Sequence, residues 1–325
     1  MRIHPSIYLG LGLVMALLIG AGLFWKAPRL TSPVSPARQV VSRPLVMKPV
    51  ETAPVLPVLV QGETAPQALA AAPSARQALF PSELSYDARL RAINALGSNL
   101  SPAEQTLLLG YLRESSPQDG LNPQQRNALK NDILNVLRTQ TPAVRQLTGA
   151  LIGIYENKNE DPVMRDYALQ HLSEYRTMQT DPAKVAQIDA SFWKAAAERS
   201  QPYAGTALLA LTRLAEVESN PQTSFQRIGK MALALAADET APLGSRITAL
   251  SVAGRTGSRG AETIAFRALQ KPDAAALHLA ALAVLRQARL AGWTPLPDQK
   301  AALQRLAQNK RGRVQKSART LLETL

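Results

Sequence analysis

The nine residues Asp161-Pro162-Val163-Met164-Arg165-Asp166-Tyr167-Ala168-Leu169 decide how the rest of this chain is read. Aspartate accepts hydrogen bonds from the orphan N–H groups of a helix's first turn. Proline at the first helical position gives up only a donor that would be unpaired anyway. The stretch therefore predicts a helix starting at Pro162. Residues three and four apart share a helical face, so Ala168, Leu169 and Leu172 form one apolar stripe along it.

Working outward, the same stripe recurs as a small or apolar residue, an apolar neighbour, and another apolar residue four places after the first. It appears at Ala92-Ile93-Leu96, Ile133-Leu134-Leu137, Ala168-Leu169-Leu172, Ala210-Leu211-Leu214, Ala249-Leu250-Ala253 and Ala281-Leu282-Leu285. A weaker copy is Ala318 with Leu321 and Leu322. The intervals between first positions are 41, 35, 42, 39, 32 and 37 residues, each with room for two helices and two turns. Three places before most stripes stands a basic or polar residue: Arg89, Lys130, Arg165, Arg246, His278 and Gln315. An isolated amphipathic helix pair cannot bury its apolar face, whereas stacked neighbours make a continuous core. Alanines such as Ala168, Ala210, Ala249 and Ala281 let adjacent helices approach. Apolar residues make up 46% of the chain and aromatics only 5%, which suits close helix packing better than sheets. The expected fold is all-α: an α-solenoid of about seven helix pairs over residues 85–325.

Asp161-Pro162-x-x-Arg165-x-x-Ala168-Leu169 resembles the turn and second-helix start of the HEAT and HEAT-like repeat family. Gly244-Ser245-Arg246-x-x-Ala249 and Val314-Gln315-x-x-Ala318 are partial copies, and the other units share mainly the periodicity. The resemblance spans residues 85–325. It implies a curved, right-handed stack whose inner helices carry the stripes, and a function in binding through an extended surface. Some HEAT-like proteins act as lyases, so the resemblance leaves catalysis open.

Toward the N-terminus, residues 7–25 are a run of nineteen uncharged, mostly apolar residues between Arg2 and Lys26. At about 1.5 Å per residue such a helix spans roughly the 30 Å of a bilayer's hydrocarbon core. Tyr8 lies near one end and Phe24-Trp25 at the other, where aromatic side chains favour the headgroup level. The expectation is a retained signal-anchor. The competing reading is a cleaved signal peptide, whose apolar core is usually about 7–15 residues. Gly20-Ala21-Gly22 supplies small residues, but no A-x-A site follows the run.

Two orientation signals conflict. A short head bearing Arg2 suits a cytoplasmic N-terminus, while Lys26, Arg29, Arg38 and Arg43 load the other flank. An apolar segment at the start of a chain is the usual export signal, which favours an inner-membrane, single-pass protein with its repeats outside the cytoplasm. Gly12, Ala16 and Gly20 recur every four residues, a spacing that permits a homodimer through the anchor, although such residues are common in membrane helices generally.

Residues 26–84 hold ten prolines, at positions 28, 33, 36, 44, 49, 54, 57, 66, 73 and 81. Prolines this dense remove backbone donors and forbid regular helix, so the stretch is expected to be a disordered tether.

Chemistry is sparse in the sequence. There is no cysteine, which excludes disulfides and thiolate chemistry, and no cofactor motif. His4, His171 and His278 lack metal-site spacing, so a lone helical histidine here reads as a surface or boundary residue and no metal is expected. Ser191-Phe192-Trp193-Lys194 matches an S-x-x-K pattern without its accompanying motifs.

Charge is more informative. The net charge is +13, and residues 243–325 hold fourteen Lys or Arg against four Asp or Glu, a local net of +10. Two clusters stand out. Gly254-Arg255-Thr256-Gly257-Ser258-Arg259-Gly260 is a glycine-rich turn whose arginines, Arg255 and Arg259, suit a phosphate or carboxylate, or else an ordinary helix connection. Lys310, Arg311, Arg313, Lys316 and Arg319 form the densest basic stretch. Together they are the candidate anion- or partner-binding residues, for nucleic acid, another anionic polymer, lipid headgroups or an acidic protein face. The leading expectation is a membrane-tethered scaffold for an unidentified protein partner. The alternatives are a binder of nucleic acid or another anionic polymer and, behind it, a lyase-type enzyme.

Overall fold

A computed structural model of the chain describes residues 74–79, 85–114, 119–218, 222–271, 274–309 and 312–325. The expected anchor at 7–25 and the proline-rich stretch as far as 73 lie outside the described residues. The described residues all belong to one unit, Pro66–Leu325.

Among them are fourteen α-helices and no strand. They are α1 (Ala75–Leu79), α2 (Tyr86–Asn94), α3 (Pro102–Arg113), α4 (Pro123–Arg138), α5 (Leu147–Glu156), α6 (Pro162–Arg176) and α7 (Pro182–Ala197). Then follow α8 (Ala204–Ala215), α9 (Gln222–Ala237), α10 (Leu243–Arg255), α11 (Ala261–Leu269), α12 (Ala275–Leu290), α13 (Pro297–Asn309) and α14 (Gly312–Leu322). No helix among the described residues is long and apolar enough to cross a membrane.

Local chemistry sets many of the starts. Asp161 accepts from Val163 N at 2.8 Å ahead of Pro162, as its sequence predicts. The same cap-and-proline device opens α3 at Ser101-Pro102, α4 at Asn122-Pro123 and α7 at Asp181-Pro182. In α3 and α4 it is a reciprocal capping box, with Glu104 and Gln125 reaching back to the cap residue's N–H.

The helices pair as α1–α2, α3–α4, and so on to α13–α14, each packed on the other within its pair. Every even-numbered helix from α2 to α14 also packs on the next even-numbered one. The seven sequence stripes fall on these even helices, except that Leu96 lies two residues past the end of α2. They are the buried core there, with only Ala92, Leu214 and Leu322 left half-buried. Ala168, Leu169 and Leu172 on α6 are fully buried, between α4 and α8 as well as against α5.

Two expectations need correction. Ala75–Leu79, inside the stretch expected to be tether, form helix α1 and pack on α2 and α3 with Ala75, Ala78 and Leu79 buried. Five residues are too few to show periodicity or to hold a helix alone, so burial against neighbours stabilises it. His171 and His278, expected at the surface or a boundary, are buried, at 7% and 1% exposed. Each lies on an even helix, where His171 meets Asn131 of the preceding pair and His278 meets Lys271 O in the turn of its own pair.

Close approach between even helices depends on glycine at two places. A carbon added to Gly205 on α8 would come within 2.9 Å of Ser245 Cα and 3.0 Å of Thr248 Cβ on α10. One added to Gly254 on α10 would meet Val284 Cγ2 on α12 at 2.9 Å. Gly205→Ala is therefore expected to lower stability by about 1–3 kcal/mol through overpacking. Exposed Gly149, with nothing within 4 Å of the added carbon, should instead gain about 0.5–1 kcal/mol as alanine. Urea unfolding midpoints of the two variants, shifting in opposite directions, would check this.

Candidate functional site

The polar residues three places before the stripes converge on one edge of the helix array, where the turn within each pair connects its odd helix to its even one. Arg89 on α2 donates to Asp119 O at 3.0 Å in the α3–α4 turn. The Asp119 carboxylate in turn accepts from Arg126 at 3.1 Å and from the Tyr111 hydroxyl. Lys130 on α4 meets Glu160 in the α5–α6 turn at 2.9 Å, both side chains being buried. Arg165 on α6 lies 3.9 Å from Glu198 at the α7–α8 turn. It also donates from Nε to Tyr155 O at 2.7 Å and stacks over the Tyr203 ring at 4.7 Å. Glu198 accepts from the hydroxyls of Tyr155 and Tyr203, and burial together with that carboxylate raises the pKa of both phenols. At the next step Arg199 faces Asp238 in the α9–α10 turn at 3.9 Å. Each of these four rungs joins a cation on one pair to an acceptor on the turn of the following pair.

The fifth rung reverses. Lys271, in the α11–α12 turn, meets Glu239 of the preceding pair at 2.7 Å. The residue that heads the stripe of α10, Arg246, lines a shallow open cleft together with Lys271. Arg267 on α11 lines the same cleft, together with buried Ala236 and Ala268, half-buried Ile264 and exposed Ala237 at its rim. The cleft thus carries three cations and one carboxylate. Hydrogen bonding and attraction from Lys271, with smaller contributions from Arg246 and Arg267, hold the Glu239 carboxyl below its ordinary pKa. Arg246 Nε is buried and has no hydrogen-bond partner among the described residues.

The residues expected from sequence to bind anions are placed differently. Arg255 and Arg259 lie on the connection from α10 to α11. The turn of Gly257 (φ 62°) and Gly260 (φ 93°) takes its left-handed backbone from glycine. Arg255 is bound to Glu216 at 2.5 Å, so this cluster acts as a helix connection with one arginine already paired. Arg313, Lys316 and Arg319 lie exposed on α14, and Arg319 Nε donates to Ala307 O near the end of α13 at 3.3 Å. Lys310 and Arg311 lie outside the described residues. Helix α12 separates α10 from α14, so the two clusters are distinct places.

Sequence reasoning passed over Glu239, Arg267 and Lys271. Arg246 was visible only as a stripe-heading residue. The Ser191 hydroxyl donates to Gln187 O while Lys194 pairs with Glu156 on α5, so the S-x-x-K match forms no nucleophile pair. No group of three or more His, Asp or Glu side chains suited to a metal occurs among the described residues.

No family model, curated protein or solved structure matches the chain.

The rungs make two checkable demands. Lys130→Ala leaves Glu160 buried without its cation and should cost about 3–5 kcal/mol, whereas Lys130→Met with Glu160→Leu should lose much less; chemical denaturation of both variants would show the difference. Farther along the even helices, Asp166 is bonded to Gln170 and Thr206, and burial raises its pKa to about 6. The folded chain then keeps a proton that the unfolded chain releases near 3.8, so stability falls as pH rises through that window. Asp166→Asn should be more stable than wild type at neutral pH by up to about 3 kcal/mol. That advantage should shrink as the pH is lowered toward 4. His171, lowered to about 4 by burial and then by Arg138, acts in the opposite sense, because acidification forces a charge on it. It is common to both proteins, so the difference between their melting curves isolates Asp166.

Proposed function

We propose that this chain is a membrane-tethered α-solenoid scaffold of HEAT-like type that binds a protein partner along its helical-repeat surface. The observation that carries this reading is the neighbour-only packing: even helices touch the even helices next to them through all seven pairs. An array built this way adds binding surface with every pair and draws no distant residues together. In this reading residues 7–25 anchor the chain in the inner membrane, the proline-rich stretch sets its reach, and the repeats work outside the cytoplasm. The lack of a convergent nucleophile, base or metal set in the sequence makes a lyase-type activity the weakest alternative.

A second reading has its own support. Arg259, Arg286, Arg305, Arg313 and Lys316 have no acidic side chain within 4 Å among the described residues, so the last three pairs present unneutralised positive charge. Such a surface suits an anionic polymer, whose binding would weaken steeply with salt.

The tethered-scaffold reading is tested with a photo-crosslinking residue placed at Leu290, which is 85% exposed at the end of α12. The wild-type anchor should keep the chain in alkaline-washed membranes and give one discrete adduct. Leu17→Lys with Leu18→Lys, each charge costing about 2.5–3.5 kcal/mol at a membrane helix's centre, should release the chain and abolish the adduct. Retention of that variant in the membrane, or a wild type that gives no discrete adduct there, overturns the proposal.

A further inference from the structure

The turn edge has a rule and one departure from it. In the first four rungs, a cation on one pair is answered by an oxygen acceptor on the turn of the next: Asp119, Glu160, Glu198 and Asp238 supply it in succession. At the fifth, the described part of the following turn presents Lys271, and Glu239, the only carboxylate lining the cleft among the described residues, is engaged by that lysine. Arg246 therefore stands where Arg89, Lys130 and Arg165 stand in their own pairs, without the acceptor those residues have. Its Nε is shielded from water and unbonded, as are those of Arg89 and Arg126. Those two guanidiniums are bonded through another nitrogen, whereas Arg246 has no hydrogen bond or ion pair among the described residues. Arg267 contributes a second guanidinium from the facing helix, and exposed Ala237 leaves the mouth unobstructed.

We infer that the cleft between Arg246, Arg267 and Lys271 is a carboxylate-binding site that takes an acidic side chain from a bound protein segment, completing from outside a rung that the described residues leave open. A carboxylate is favoured over a phosphate because three of the four earlier rungs use single carboxylate side chains, two of them answering the residue that heads the stripe. Two guanidiniums offer it paired N–H donors, and two positive units remain in the cleft after Glu239 is counted. The inference rests on the partner-binding reading. It concerns the purified chain, however, so it fails or stands apart from the membrane adduct described above.

The probe is a fluorescein-labelled hexaglutamate peptide, titrated with the detergent-solubilised full chain and read by fluorescence anisotropy at low ionic strength. Arg246→Gln and Arg267→Gln should each weaken binding about tenfold, the loss of a charge-assisted contact, whereas Arg313→Gln with Lys316→Gln on α14 should change it less than about twofold. Glu239→Gln removes the competing carboxylate and should tighten binding severalfold. Ala237→Glu places a carboxylate at the cleft's mouth within the chain itself, and should abolish peptide binding while raising the melting temperature. That variant keeps the test decisive if Arg246→Gln does not fold.

Three results overturn the inference. Binding that survives Arg246→Gln, Arg267→Gln and Ala237→Glu places the peptide elsewhere. An equal loss on substituting α14 makes the attraction diffuse charge rather than a site. A twelve-nucleotide single-stranded DNA that displaces the peptide and is itself lost in the cleft variants assigns the cleft to phosphate.

Discussion

No helix pair in this protein can bury its own apolar stripe, and the rest of the structure follows from that constraint. Ala168, Leu169 and Leu172 on α6 reach full burial only because α4 and α8 cover the sides that α5 leaves open. The same holds at Leu250 and Ala253 between α8 and α12. Each pair therefore owes its stability to the next, and the core runs on as a series of contacts between neighbours rather than closing on a centre. Gly205 and Gly254 matter for the same reason: where two even helices come closest, there is no space for a Cβ.

Apolar burial is non-directional, so it draws the pairs together without fixing how far one slides along another. The polar rungs supply that register. Lys130 is completely buried and is satisfied only when Glu160, thirty residues later, is opposite it. A stack slipped by one helical turn would keep much of its apolar contact but strand that charge. Arg165 does this for two pairs at once, holding the end of α5 through Tyr155 O and the α7–α8 turn through Glu198. Buried ion pairs add little net stability over apolar residues of similar size. Their effect here is to make alternative registers costly.

The positive excess of the last eighty residues is accordingly not one uniform surface. Part is consumed internally, by Glu216 on Arg255, Glu239 on Lys271, Ala307 O on Arg319 and Thr324 O on Arg289. Arg246 and Arg267 differ in kind from the exposed charges of α14. They line a cleft, and one of them carries a donor sealed from water.

The sequence by itself determined the all-helical character, the seven stripes and many helix starts. Ser101-Pro102, Asn122-Pro123 and Asp181-Pro182 were as readable as Asp161-Pro162, because capping and face periodicity involve residues only two to four positions apart. The polar residue ahead of each stripe was equally visible, but its purpose was not. Tertiary structure alone decided that Lys130 meets Glu160, that Arg255 is spent on Glu216, that His278 is buried, and that Ala75–Leu79 fold against α2 and α3. The physical reason is distance along the chain. Helix caps and stripes are settled within one turn, whereas each of these partners comes from another helix or the turn of another pair, brought close only when the pairs stack.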